Sequence, residues 1–268
     1  MSFMNIAKIA SRTRLPLLTL LGAALALFFI ARPRPNPYLG RALKAILPKE
    51  REDITHEDLQ KLSRQQLIGV FHQLVSPETA EMRGEYRAAM LDTGNALNRF
   101  LSHFTLYRIW GEWGCKAFEP LGDKHGHGYN TFSTCLPVLH ENVHHALLDR
   151  VIHALRHFFV GDPCRERTVR IIRNRTFMGP SMFDNRTSFH LVYSPYNDFP
   201  VSTMHDEVRK VNDTLFLGLG ILTVTGGKWN IFPFVLMGPP EPWKGPDNGC
   251  PDRPAATIDT AMKRGDTP

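Results

Sequence analysis

His140, Glu141 and His144 stand in the order H-E-x-x-H within LHENVHH. On a helix the two histidines lie one turn apart, so their imidazoles can share a zinc ion at about 2.0–2.2 Å while the glutamate serves as general base. The longer peptidase string is interrupted, because Leu147 and Arg150 stand where Gly and His would continue it. A third ligand would have to come from a distant carboxylate such as Glu166 or Glu207, or from the His-Gly-His of residues 125–127. A second set of chemistry-bearing residues lies downstream. Asp206, His190 and Tyr193 are candidates for catalytic proton transfer, a use that needs no nucleophile motif. His205, Asp206 and Glu207 precede Arg209 and Lys210, a mixture that facing ion pairs on a sheet also explain. The chain has no G-x-S-x-G elbow, Walker loop or dinucleotide fingerprint, which sets aside hydrolase-elbow, NTPase and Rossmann chemistry.

These residues need elements to position them. From Gly111 onward, short apolar runs are bounded by Gly, Pro, Asn and Asp, the pattern of strands and turns. WGCKAF, GYNTFS, TVRIIRNRTFM, SFHLVYS, EVRKVNDTLFLGLGILTV and IFPFVLMG are six candidate strand runs. Phe189, Leu191 and Tyr193 alternate with Ser188, His190 and Val192, whereas TVRIIRNRTFM does not reveal which face is inside. A helix over 139–159 interrupts the runs and carries the H-E-x-x-H string on its apolar face. Upstream, Thr55 followed by Asp58 predicts a helix start. A further helix is expected from Pro77 through MRGEYRAAMLDTG to Gly94.

Leu15 to Ala31 form 17 nearly uninterrupted apolar residues flanked by Lys and Arg, which predicts a single-pass transmembrane anchor followed by a Pro-rich spacer over 32–48. Residues 1–14 are a basic segment. The formal net charge of +6 is concentrated here: the first 49 residues hold eight Lys and Arg and no acid, leaving 24 basic against 26 acidic residues beyond them. A nucleic-acid partner is therefore not expected, since phosphate binding needs a basic surface on the folded part. The sequons at Asn174, Asn185 and Asn212 favour the secretory pathway over the mitochondrial inner membrane.

GEWGCKAF, residues 111–118, resembles the G-x-W-x-G-K-x-F start of small lipocalin-like barrel domains, with Trp113, Lys116 and Phe118 matching and Cys115 in place of Gly. The combination GEYRAAML, GHGYNTF, GPSMFDNRTSFHLVYSPYND, DEVRKVNDTLFLGLG and PFVLMGP, spread over 84–240, looks like a group of poorly characterised microbial proteins. The expected fold is α+β and β-rich. An antiparallel lipocalin-like barrel over 111–240 contains the inserted helix, preceded by a helical region over 49–110 and followed by a Pro/Gly-rich tail over 241–268. Such a barrel holds one apolar ligand, with Trp113, Asn130, Phe132 and Arg209 expected around it. The function expected is a membrane-anchored barrel that binds, and isomerises or cyclises, a hydrophobic small molecule without a cofactor. The alternatives are a zinc hydrolase built on His140, Glu141 and His144, and a structural subunit of a membrane complex.

Overall fold

Strand follows strand around a ring. In a computed structural model, β1 (Gly84–Met90), β2 (Glu112–Pro120), β3 (His125–Thr134), β4 (Arg167–Pro180), β5 (Thr187–Val192), β6 (Met204–Asn212), β7 (Leu215–Leu222) and β8 (Phe232–Glu241) form a closed antiparallel barrel in sequence order. The structure describes residues 35–104, 106–107, 110–134 and 167–247. The anchor of 15–31, the helix of 139–159 with His140, Glu141 and His144, and the tail from 248 lie outside the described residues. Among the described residues no helix is long and apolar enough to cross a membrane.

Closure depends on a strand that helical periodicity misplaces. Residues 84–90 pair with β2 through Gly84–Phe118 and with β8 through Met90–Phe234, so the middle of the helix expected from Pro77 to Gly94 is a strand, preceded by a short 3-10 turn over Thr79–Glu81. The reason is local. Gly84 has φ +99, outside any right-handed helix, and Tyr86 and Ala88 recur at period two on the face that joins the inner core. The barrel therefore starts 27 residues before the 111 expected for it, inside what reads as a helical region. The long run EVRKVNDTLFLGLGILTV is two strands, β6 and β7, turned at Asn212, whose Oδ1 accepts the Thr214 amide.

Side-chain alternation divides the apolar residues into two cores. The inner one takes Trp113, Phe118, Phe132, Phe189, Tyr193, Phe216 and Phe234. The outer one packs Leu217, Leu219 and Val235 beneath Leu67, Phe71 and Leu74. These last belong to or follow α3 (Arg64–Phe71), which comes after α1 (Leu43–Ile46) and α2 (His56–Gln60). Thr55 and Ser63 begin α2 and α3 with reciprocal capping boxes, satisfying amides that a helix start leaves open. At the other end of α3, Arg209 donates to the Phe71 carbonyl and Arg186 to the carbonyls of His72 and Leu74. Two guanidinium groups thereby hold carbonyls that the helix end cannot satisfy itself.

Candidate functional site

The barrel interior is layered. At one end four aromatic rings fill it: Tyr86 lies 6.0 Å from Phe118 and 5.5 Å from Phe216, and Phe118 lies 5.5 Å from Phe189, the last two pairs edge to face. Towards the other end the interior opens into a cavity of about 290 Å³. Its walls are apolar, with Trp110, Trp113, Phe132, Phe232 and Phe234 prominent. Gly218 and Gly220 of β7 make room for two of those rings, since a Cβ would lie 2.1 Å from Phe234 and 2.0 Å from Phe232.

Between the aromatic plug and the cavity lies a polar layer. Lys116 Nζ donates to Asp206 Oδ2 at 2.8 Å, to Asn130 Oδ1 at 3.1 Å and contacts the Tyr193 hydroxyl at 2.6 Å. Tyr193 also donates to Asp206 Oδ2 at 2.7 Å. Trp113 Nε1 donates to Asn130 Oδ1 at 3.2 Å, and Asn130 Nδ2 donates to the Ile172 carbonyl at 3.0 Å. Each group is buried, and Lys116 lies 5.1–5.4 Å from the ring centres of Trp113, Tyr193 and Phe234. Burial pulls the Lys116 ammonium pKa down, and the Asp206 carboxylate opposes that by favouring its charge. Burial and the same carboxylate push the Tyr193 hydroxyl well up, so it remains a proton donor. One polar atom of the layer has no partner among the described residues: Asp206 Oδ1 is buried without a hydrogen bond, on a residue that lines the cavity. The site therefore offers a ligand one carboxylate acceptor at the inner end of an apolar chamber.

Several expected residues meet here. Trp113, Asn130, Phe132 and Asp206 line the cavity, and Tyr193 holds Asp206 from behind. His190 and Arg209 do not, because alternation turns them outward. His190 shares a strand with inward-facing Phe189, Leu191 and Tyr193, and its imidazole stacks on Phe177 of the outer wall at 4.7 Å. Arg209 follows inward-facing Val208 and forms a bidentate pair with Asp184 at 2.6 and 2.7 Å. The structure thus places His190 and Arg209, expected beside Asp206 and the ligand, on the outer face of the wall. Lys116 enters the sequence reading as a motif match and not as a site group. Its signal was present: a lysine between Trp113 and Phe118 in a strand whose inward positions are otherwise aromatic.

The three sequons have different surroundings. Asn174 is fully buried in β4, its amide atoms without partners among the described residues, so the folded chain has no space there for a glycan. Asn212 Nδ2 donates to the Ile54 carbonyl at 2.9 Å. Asn185 is exposed at a turn with φ +60.

A different polar cluster occupies the outer wall. His190 Nδ1 and His205 Nε2 are 2.9 Å apart, and Glu207 Oε1 is 3.8 Å from His190 Nδ1. Burial lowers the pKa of both imidazoles, that of His205 to about 3, so both rings are neutral near pH 7.

No family model matches the chain, and no curated protein matches it. Among solved structures it is similar to a protein from Thermomonospora curvata, at 14% identity, a TM-score of 0.36, and coverage of 66% of this chain and 87% of that one.

Proposed function

We propose that this barrel binds a small hydrophobic molecule carrying one hydrogen-bond donor, an alcohol, amine or amide N–H, held against Asp206 Oδ1. The observation that carries this reading is the unpartnered buried oxygen on the inner wall of an otherwise apolar cavity. A buried acceptor left unpaired costs about 1–3 kcal/mol, and a ligand donor that reaches it recovers that cost. The volume sits at the small end of ligand pockets, which run from about 300 to 1,000 Å³, so a compact molecule suits it better than a two-chain lipid. The membrane belongs to the same reading: Leu15 to Ala31 would tether the chain. Val224 lines the cavity yet is 46% exposed, and exposed Phe199 precedes the lining residue Pro200. Apolar groups at the opening suit a ligand that arrives from a bilayer.

The test compares a medium-chain alcohol with the carboxylic acid of equal length, each competing with a fluorescent apolar probe for the purified full chain in mild detergent. The alcohol should bind at least about tenfold more tightly, because a carboxylate would place a second negative charge beside Asp206. Asp206→Asn should erase most of that preference. Equal or tighter binding of the acid would contradict the reading, as would failure of the alcohol to displace the probe. Turnover is a separate outcome. If Asp206 also moves a proton during isomerisation or cyclisation, product formed by the wild-type chain will be lost in Asp206→Asn while the alcohol still binds.

A further inference from the structure

We propose that the outer wall of the barrel holds a divalent transition-metal site, made by His190 of β5 with His205 and Glu207 of β6, and that zinc is the ion that best fits it. The site is separate from the ligand cavity. His205 and Glu207 flank inward-facing Asp206 in β6, so alternation places them on the opposite side of the same strand. His190 stands directly across from Glu207 in the β5–β6 ladder.

Three observations point to a cation. The candidate ligand atoms lie within 4.8 Å of one another, with separations of 2.9 Å between the imidazoles and 3.8 Å from His190 to the carboxylate. Zinc with bonds of about 2.0–2.2 Å puts adjacent ligand atoms roughly 3.3 Å apart, so small side-chain rotations complete the set. Two of the residues are also deeply enclosed, His190 at 3% and Glu207 at 0% exposure, and His205 is partly buried, yet polar atoms go unsatisfied. Glu207 Oε2 has no hydrogen-bond partner among the described residues; the imidazole nitrogens that face each other share one hydrogen bond, which a metal would replace, and the opposite nitrogens, His190 Nε2 and His205 Nδ1, are among the buried unpartnered atoms. Lastly, a buried carboxylate calls for a compensating positive charge. Among the described residues no Lys or Arg stands within ion-pair distance of Glu207, while Arg209, the neighbouring guanidinium, is engaged bidentately by Asp184.

Two imidazoles and one carboxylate suit zinc, iron(II) or cobalt(II) far better than calcium or magnesium, which prefer all-oxygen shells. The surroundings would hold such a site in shape. Phe177 lies parallel to His190 with an interplanar angle of 5°, and the Met182 amide donates to Glu207 Oε1 at 2.7 Å. A metal there would bind β5 to β6 and secure the turn between β4 and β5 that carries Met182.

The test uses the full chain without a polyhistidine tag, stripped with chelator and titrated with zinc(II) against a chromophoric chelator. About one equivalent should bind. Glu207→Gln and His205→Ala should each weaken binding by at least about tenfold, whereas a His140→Ala/His144→Ala chain should bind as the wild type does. Less than a tenth of an equivalent overturns the proposal, and so do unchanged affinities in Glu207→Gln and His205→Ala. Should those two variants fail to fold, X-ray absorption on the zinc-loaded His140→Ala/His144→Ala chain decides. Two imidazoles and a carboxylate oxygen around the metal support the site, and fewer than two imidazoles overturn it.

Discussion

At the scale of single residues, the buried Lys116–Asp206 pair constrains what the cavity can be. Two opposite charges 2.8 Å apart in an apolar interior are stable together and costly apart. Lys116→Met leaves Asp206 with Tyr193 as its donor and no cation, so unfolding in urea should show a loss of about 3–5 kcal/mol. Adding Asp206→Asn to that variant removes the stranded charge and keeps an acceptor for Tyr193. The double variant should recover at least about 1 kcal/mol of the loss, and strictly additive losses would show that the pair is not coupled. This layer was partly legible in the sequence. Asp206 and Tyr193 were identifiable as polar residues among strand apolars, and Trp113, Asn130 and Phe132 as wall residues. Lys116 is legible only as a match to the barrel-start motif, because an isolated lysine in a strand is ordinarily solvated and its burial depends on an aspartate 90 positions away.

At the scale of elements, β4 and β7 show why some strands read poorly. Ile172 has φ +55, and the register with β3 shifts between Gly128 and Asn130. The bulge moves burial from Val169 to Ile172, Asn174 and Thr176, so no single alternation describes TVRIIRNRTFM. In β7 two of the inward positions are Gly218 and Gly220, which look like strand breakers until the Phe234 and Phe232 rings across the ladder fill their space. Gly218→Ala should therefore push the Phe234 ring towards the cavity, destabilising the fold by about 1–3 kcal/mol and weakening probe binding. Pairing it with Phe234→Leu should restore part of both. If Gly218→Ala binds the probe as well as the wild type, Phe234 does not shape the chamber. The helices give a pH-dependent prediction. In α2, the Lys49 ammonium, then the Thr55 amide, hold the Asp58 carboxylate down at about 2, below the roughly 3.9 of an unfolded chain. A depressed carboxylate stabilises the fold above its unfolded value, and that contribution fades as pH falls from about 4 through 2. Asp58→Asn should lower the melting temperature at pH 6 and cease to matter near pH 2; a difference that persists unchanged at the lower pH would assign the effect to packing instead.

At the scale of the whole molecule, closure sets the boundaries of the folding unit. A barrel removes the exposed edges that an open sheet presents, and here β1 is the strand that joins β2 to β8. The unit legible in the sequence, 111–240, lacks that strand. Its pattern was unreadable for a physical reason: GEYRAAM is seven residues long, contains two alanines and sits between segments with helical spacing, so period two cannot dominate locally. The strand becomes recognisable only when both neighbours are known. Fragments then order themselves. Residues 111–247 expose two ladder edges, along β2 and β8, and should aggregate or unfold without cooperativity. Residues 84–247 close the ring but uncover Leu217, Leu219 and Val235, which the outer core shields with Leu67, Phe71 and Leu74. They also lose the Phe71, His72 and Leu74 carbonyls as partners for Arg209 and Arg186. Residues 36–247 keep both cores, so this fragment alone should unfold in one cooperative urea transition and displace the apolar probe like the full chain. A cooperative, probe-binding 111–247 fragment would mean that β1 is dispensable and that the chamber forms without a closed barrel.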